Sequence, residues 1–410
     1  MQNHLPRRIL GVAALAGAAM LAGCGGGGAS DTSGTISGGG GTGTLRVSLT
    51  DAPACGYDAV NVTVERVRVH QSASATGGTS EAGWSEIVLS PPRKVDLLQL
   101  TNGVLFELGQ VALPAGNYQQ IRLVLADNSS VPLANSVVPS GKAETPLDTP
   151  SGQQSGIKLQ ANVAVPAGET MDVVLDFDAC RSVVKRGNSG QYNLKPVISV
   201  IPLVSAGAIS GYVPTGLLAD GVTVTAQSGG TVVKATVPDP TGAFRLSPIA
   251  SGTYNVVFTA DDRTTRVVSG VPVVTGGNSV LSLPAQPITL PPSMTVPPSG
   301  TISGQVVPAA AQAEVRATQT VGAAMKVVVR TAVADGLTGG YSFKLPLANA
   351  QLANWGTGLL PLVFADVVGT GGKYVFEASA VGYLPNPAFS ALLTLGAVTL
   401  DQDFVLTAAP

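Results

Sequence analysis

Charge is scarce in this chain of 410 residues: Asp, Glu, Lys and Arg make up 12% of it, about half the usual share. The formal net charge is −2, so no basic field exists to neutralise phosphates and a nucleic-acid partner is excluded. Histidine is scarcer still. Of the two present, His4 lies in a segment expected to be removed, which leaves His70. A zinc site with two or more histidines is thereby ruled out, and a Ser-His-Asp triad would have to be built on His70 alone. The glycine runs carry no Gly-Lys-Ser/Thr signature, so they mark linker composition and not a phosphate cradle. Aromatics account for 5% of residues, with two tryptophans, Trp84 and Trp355. Few rings are left over to stack on sugars.

Glycine (50) and proline (29) are abundant, which suits short strands and turns better than helices. At the N-terminus, Arg7 and Arg8 precede an apolar run, Ile9 to Ala22, that ends at Cys24. The run is shorter than the roughly 20 residues a span requires, and its flanks are those of a cleaved secretory signal. An ordinary secreted protein with an incidental cysteine is the plain alternative. The quartet Leu21-Ala22-Gly23-Cys24, however, resembles the lipobox of bacterial lipoproteins. That resemblance implies acylation of Cys24, a signal at residues 1–23, and a Gly/Ser/Thr-rich leash at 24–43 with a span of roughly 25 Å. Gly25 after the cysteine implies sorting to the outer membrane, facing the periplasm or the cell surface.

With Cys24 acylated, Cys55 and Cys180 remain. In an oxidising compartment they have one possible pairing, and a Cys55–Cys180 disulfide is expected, with two buried free thiols as the alternative. Closing so long a loop adds about 4–5 kcal/mol through the unfolded state.

Period-two alternation marks half-buried strands at 45–49, 60–64, 118–125, 157–163, 171–177 and 194–201. After Val64 the apolar parity switches to Val67 and Val69, which predicts a bulge near Glu65. The blocks "GTLRVSLTDAPACGYDAVNVTVERVRVH", "VDLLQLTNG", "LPAGNYQQIRLVLADN" and "VVLDFDACRSVVKRGNSGQYNLKPVI" resemble the bacterial domain of unknown function 4382, over about 44–203. The resemblance implies an exported β-sandwich-like domain and no established activity.

An internal repeat follows. Gly207-Ala208-Ile209-Ser210-Gly211 is echoed by Gly300-Thr301-Ile302-Ser303-Gly304, Gly242-Ala243-Phe244-Arg245-Leu246 by Gly340 to Leu345, and Gly252-Thr253-Tyr254 by Gly372-Lys373-Tyr374. The order resembles carboxypeptidase regulatory-like modules, which implies prealbumin-like sandwiches of the carbohydrate-binding-like fold. Copies are expected at 204–290 and 299–410, on a semi-rigid Pro-rich spacer at 291–298, with an insertion at Leu347 to Gly372 in the second. Some prealbumin-like modules join a Lys to an Asn under a nearby acid. The first copy has Lys234 but no glutamate, which argues against such a bond there and leaves the second copy undecided.

The remaining reactive groups are carboxylates. Asp176 and Asp178 share a strand face, while Asp51 and Asp127 sit where strands give way to turns; together they could hold calcium, although turn-capping aspartates are common. His70 shares a face with Arg66 and Arg68, read as a solvated basic surface. Trp84, in a Gly- and Ser-rich loop, is the aromatic most open to ligand contact, unless it closes the sandwich edge.

The expected protein is an all-β chain of tandem β-sandwiches: a membrane-anchored, non-enzymatic binding or structural module, with the regulatory-like pair as a stalk and the N-terminal domain as the binding region. Its partners are the lipid surface and a polysaccharide or envelope protein. Carbohydrate or polymer recognition is one alternative, and a hydrolase using Asp176 or Asp178 is a more distant one.

Overall fold

The computed structural model describes residues 41–410 apart from 52–55, 79–80, 151, 154, 296–297, 357–359 and 394–398. The signal, Cys24 and Cys55 lie outside the described residues. Among those described, no helix is long and apolar enough to cross a membrane. The chain is almost entirely β, arranged as tandem sandwiches.

The N-terminal sandwich contains β1 (Thr42–Asp51), β2 (Tyr57–His70), β3 (Ser85–Asp96), β4 (Phe106–Pro114), β5 (Gly116–Leu125), β6 (Ser136–Pro139), β7 (Thr145–Asp148), β8 (Ile157–Val165) and β9 (Thr170–Phe177). A short helix α1 (Ala179–Ser182), then β10 (Val183–Lys185), β11 (Tyr192–Leu194) and β12 (Ile198–Pro202) complete it. One sheet runs β12-β9-β1-β4 and the other β10-β11-β7-β6-β2-β5-β8, with β3 also on β2. Alternate residues of β1 and β2 meet between the sheets, where Leu45, Val47, Leu49, Val60, Val62 and Val67 are fully buried. The ladder slips between Val64 and Arg66, so the parity switch in the sequence is the bulge at Glu65. The strand expected at 194–201 is two strands in different sheets. Pro196 lies between them and offers no N–H to a ladder.

The second sandwich is β13 (Ala206–Tyr212), β14 (Thr223–Ser228), β15 (Thr231–Thr236), β16 (Ala243–Ala250), β17 (Gly252–Thr259), β18 (Arg266–Val273) and β19 (Asn278–Val280). The third is β20 (Ser299–Val307), β21 (Glu314–Val321), β22 (Met325–Val333), β23 (Gly340–Pro346), β24 (Gln351–Asn354), β25 (Ala365–Asp366), β26 (Lys373–Ser379), β27 (Phe389–Leu392), β28 (Thr399–Asp401) and β29 (Phe404–Val405). Order β16-β13-β19 in one matches β23-β20-β28 in the other, and β15-β14-β17-β18 matches β22-β21-β26-β27. The two are copies of one topology.

Pairing also corrects the alignment by one residue. Gly211 faces Phe244 and Gly304 faces Tyr341, so Gly242 is equivalent to Gly339 and not to Gly340. Both glycines have positive φ, at 83° and 72°. At each, a Cβ would fall 2.1–2.2 Å from a valine carbonyl oxygen, of Val213 or Val306, which excludes any side chain.

The spacer is not the sole link between the second and third sandwiches. The insertion in the third sandwich returns to the second: β24 pairs in parallel with β18, from Arg266↔Gln351 to Ser269↔Asn354, and β25 adds a further strand. Trp355, Leu362 and Phe364 from the insertion pack on the second core. The edge of β18 is thereby covered. Nor is the spacer free, because Thr264 N donates to Pro291 O at 2.9 Å and Ser293 N to Asp262 O at 2.9 Å.

Candidate functional site

The three sandwiches converge on one cavity of about 500 Å³. From the first sandwich come Tyr57, at the start of β2, and Asp178 with Arg181, around α1. Thr223, Thr225 and Thr259 come from the second, and Glu314, Arg316 and Arg330 from β21 and β22 of the third.

Local sequence explains why α1 points there. Asp178 caps the single helical turn, accepting the Arg181 N–H at 3.0 Å, and this aims the Arg181 side chain outward at Glu314, 2.5 Å away. Glu314 and Arg316 alternate with the core residues Val315 and Ala317, so both charges stand on the outer face of β21. Arg330 reaches Asp261 of the second sandwich at 2.7 Å. Burial pushes the Asp178 carboxyl up to about 6; Glu314 and Asp176 add to this, and Arg181 opposes it. Burial also raises the Tyr57 hydroxyl to about 12, so it stays a neutral donor.

Further bonds lock the junction. Gly187 N donates to both Asp335 carboxylate oxygens at 2.8 and 2.7 Å. Lys195 Nζ donates to the Ala311 and Gln312 carbonyls at 2.9 and 2.7 Å. Between the copies, Gln227 Nε2 donates to Val328 O and Gln227 Oε1 accepts from Val328 N, both at 2.8 Å. Because β22 is an edge strand, Gln227 satisfies backbone groups that would otherwise be buried unpaired.

The four aspartates expected to share calcium are separated by their duties. Asp51 is buried and accepts the Ala179 N–H at 2.9 Å. Asp127 forms an Asx turn with Ser129 N at 2.8 Å. Asp176 pairs with Lys234, and Asp178 caps α1. Among the described residues no group of three or more His, Cys, Asp or Glu could hold a metal ion. Asp178 lines the large cavity and Asp176 does not.

The basic face of β2 is solvated only in part: the Arg66 side chain is 42% exposed and His70 is half-buried, but Arg68, with Arg122 of the neighbouring β5, is not. Arg68 and Arg122 are 4% and 6% exposed and donate to the carbonyls of Ala75, Thr76 and Gly77 in the loop after β2. Trp84 lies over them, its ring 4.6 Å from the Arg68 guanidinium and 5.6 Å from that of Arg122, with the His70 ring 5.0 Å away. His70 Nδ1 accepts from Ser72 N at 2.9 Å, which places its proton on Nε2, against the Ala82 carbonyl. Bonds from the Thr76 hydroxyl and the Gly77 and Thr76 N–H groups hold Glu81 down at about 2. Trp84 is the cover of a buried arginine pair.

Arg181, Glu314, Arg316 and Arg330 escaped the sequence reading. In so poorly charged a chain, the alternation of Glu314 and Arg316 on one strand was the available signal. Arg181 and Glu314 meet across 133 residues, and Arg330 and Asp261 across 69.

The family Domain of unknown function (DUF4382) matches residues 42–196. No curated protein matches. Solved structures that are similar include two type II cohesin–X-dockerin complexes from Acetivibrio cellulolyticus with mutated C- or N-terminal interfaces. They are 30% and 31% identical over 21% and 20% of this chain, with TM-scores of 0.19 and 0.18. The chain covers 58% and 56% of those chains. BcpA, the major pilin subunit of Bacillus cereus, is 12% identical, with 90% of this chain and 100% of that chain covered and a TM-score of 0.17.

Proposed function

We propose that this chain is a lipid-anchored, non-enzymatic protein of the bacterial envelope whose three sandwiches act as one binding unit, with the junction cavity as its ligand site. The cavity carries the reading. Its volume of about 500 Å³ lies within the roughly 300–1,000 Å³ of small-ligand sites. Its walls combine threonine and tyrosine hydroxyls with arginines held in place by carboxylates, and among the described residues no histidine lines it. Such a lining suits a polyhydroxylated, partly anionic ligand of oligosaccharide size, since guanidinium forks take up carboxylates and hydroxyls in defined geometry.

Acylated Cys24 and the glycine-rich leash would tether this unit to the outer membrane, facing the periplasm or the cell surface. The repeated topology of the second and third sandwiches supports a prealbumin-like, regulatory-like origin for both. A Cys55–Cys180 disulfide belongs to the same reading. Its support is proximity: Asp51 bonds Ala179 N, and Tyr57 lines the same cavity as Cys180, so described residues on both sides of Cys55 lie near Cys180.

The test is thermal unfolding of the full chain with Cys24→Ser, titrated with neutral and uronate-containing oligosaccharides. A ligand at a hundredfold excess over its Kd adds about 2.7 kcal/mol. The expected result is a dose-dependent rise in Tm, lost in Thr231→Trp, which fills the cavity mouth. Flat responses across the panel would overturn the ligand assignment, and unchanged membrane recovery of Cys24→Ser in the native host would overturn the anchor.

A further inference from the structure

We propose that Lys234 and Asp176 condense to an amide, an isopeptide bond that staples the second sandwich to the first. Lysine ordinarily reaches its ammonium into water. Here Lys234 Nζ instead contacts Asp176 Oδ1 with the two side chains only 3% and 8% exposed, and no other described ion pair is so buried on both sides. Asp176 stands on β9, an interior strand of its sheet, flanked by Thr50 and Ser199, so its backbone is held from both sides. Lys234 stands on β15, which is held against β14.

Two further features fit amide formation better than a permanent ion pair. A small cavity of about 40 Å³, lined by Asp176, Asp178, Ser199 and Lys234, adjoins the contact, and a water needs roughly 10–15 Å³ of such space. Asp178, on that same wall, is a second carboxyl beside the contact. Burial raises both aspartates above the usual carboxylate range, Asp178 to about 6, which favours the protonated forms that the reaction needs.

The step balances without any oxidant or cofactor. A proton passes from the Lys234 ammonium to the Asp176 carboxylate, leaving an amine and a carboxylic acid. The Nζ lone pair attacks Cγ and the C–N bond forms. The Asp178 carboxylic acid gives its proton to the departing hydroxyl from one oxygen and takes an amine proton on the other. The Cγ–OH bond then breaks and one water leaves.

Peptide mass spectrometry decides between the amide and an ion pair. The purified full chain with Cys24→Ser is reduced, denatured and digested. The expected product is one branched peptide joining the segments that contain Asp176 and Lys234, at their summed mass less one water. In Lys234→Arg, which keeps the charge but not the nucleophile, the branched peptide is expected to disappear. Asp178→Asn is expected to lower its yield at early times after refolding. Recovery of both segments of the parent chain as separate linear peptides, at full mass after prolonged incubation, would overturn the proposal.

Discussion

The Tyr374 hydroxyl donates to the Pro346 carbonyl at 2.6 Å across the whole insertion, and Tyr254 makes the equivalent bond to Ala250 at 2.8 Å with only a turn between. Tyr118 does the same to Pro114 at 3.0 Å in the first sandwich. The phenol thus closes the same corner three times. In the third sandwich it also fixes where the insertion leaves and rejoins the core. Tyr374→Phe leaves the Pro346 carbonyl without this partner, and a loss of about 1–3 kcal/mol is expected in urea unfolding.

Gln227→Ala removes both bonds to Val328 and strands a buried backbone pair on the edge of β22. A destabilisation of about 1–3 kcal/mol is expected. Faster hydrogen exchange at Val328 N–H would locate the loss at the junction, whereas unchanged protection would contradict the arrangement.

The Asp178 carboxyl, raised from 3.8 to about 6, binds its proton more tightly in the folded chain than in the unfolded one. Its contribution to stability is therefore full below the unfolded value and is lost as pH rises through about 6. The decline between those limits amounts to as much as about 3 kcal/mol. Asp178→Asn keeps a capping side chain and should flatten the unfolding free energy over this window, as measured by urea titrations at several pH values.

Trp84→Ala uncovers Arg68 and Arg122. The expected loss is about 1–2 kcal/mol of stability, with the oligosaccharide response of the junction cavity unchanged. If the variant abolished saccharide binding with stability intact, the ring would be a ligand platform after all.

Cys180→Ser should lower stability by about 2–5 kcal/mol if the proposed disulfide forms. Non-reducing peptide mapping provides the direct reading, a Cys55–Cys180 linked pair that reductant separates.

Much of the fold was legible because strand formation is local. The alternation in β1 and β2, the bulge at Glu65 and the Gly-x-Tyr corner each depend on residues within a few positions, and each is visible in one dimension. The site was less legible. The duties of Asp178 and Trp84 stayed open in the sequence, because a carboxylate reads the same whether it caps a helix or binds a metal. A tryptophan in a loop likewise gives no sign of the guanidinium beneath it.

By itself the sequence determined the all-β class, the duplicated module, the insertion and the poverty of histidine and charge that removes whole classes of chemistry. These follow from composition and short-range periodicity. Only the tertiary structure decided that the insertion lends β24 to the preceding sandwich, that Gln227 seals the β22 edge, and that Lys234 finds its acid in another domain. The reason is physical: an edge strand offers its hydrogen bonds to any strand that fits. A buried charge must likewise find a partner wherever the packing brings one. Neither choice leaves a mark on the residues nearby in sequence.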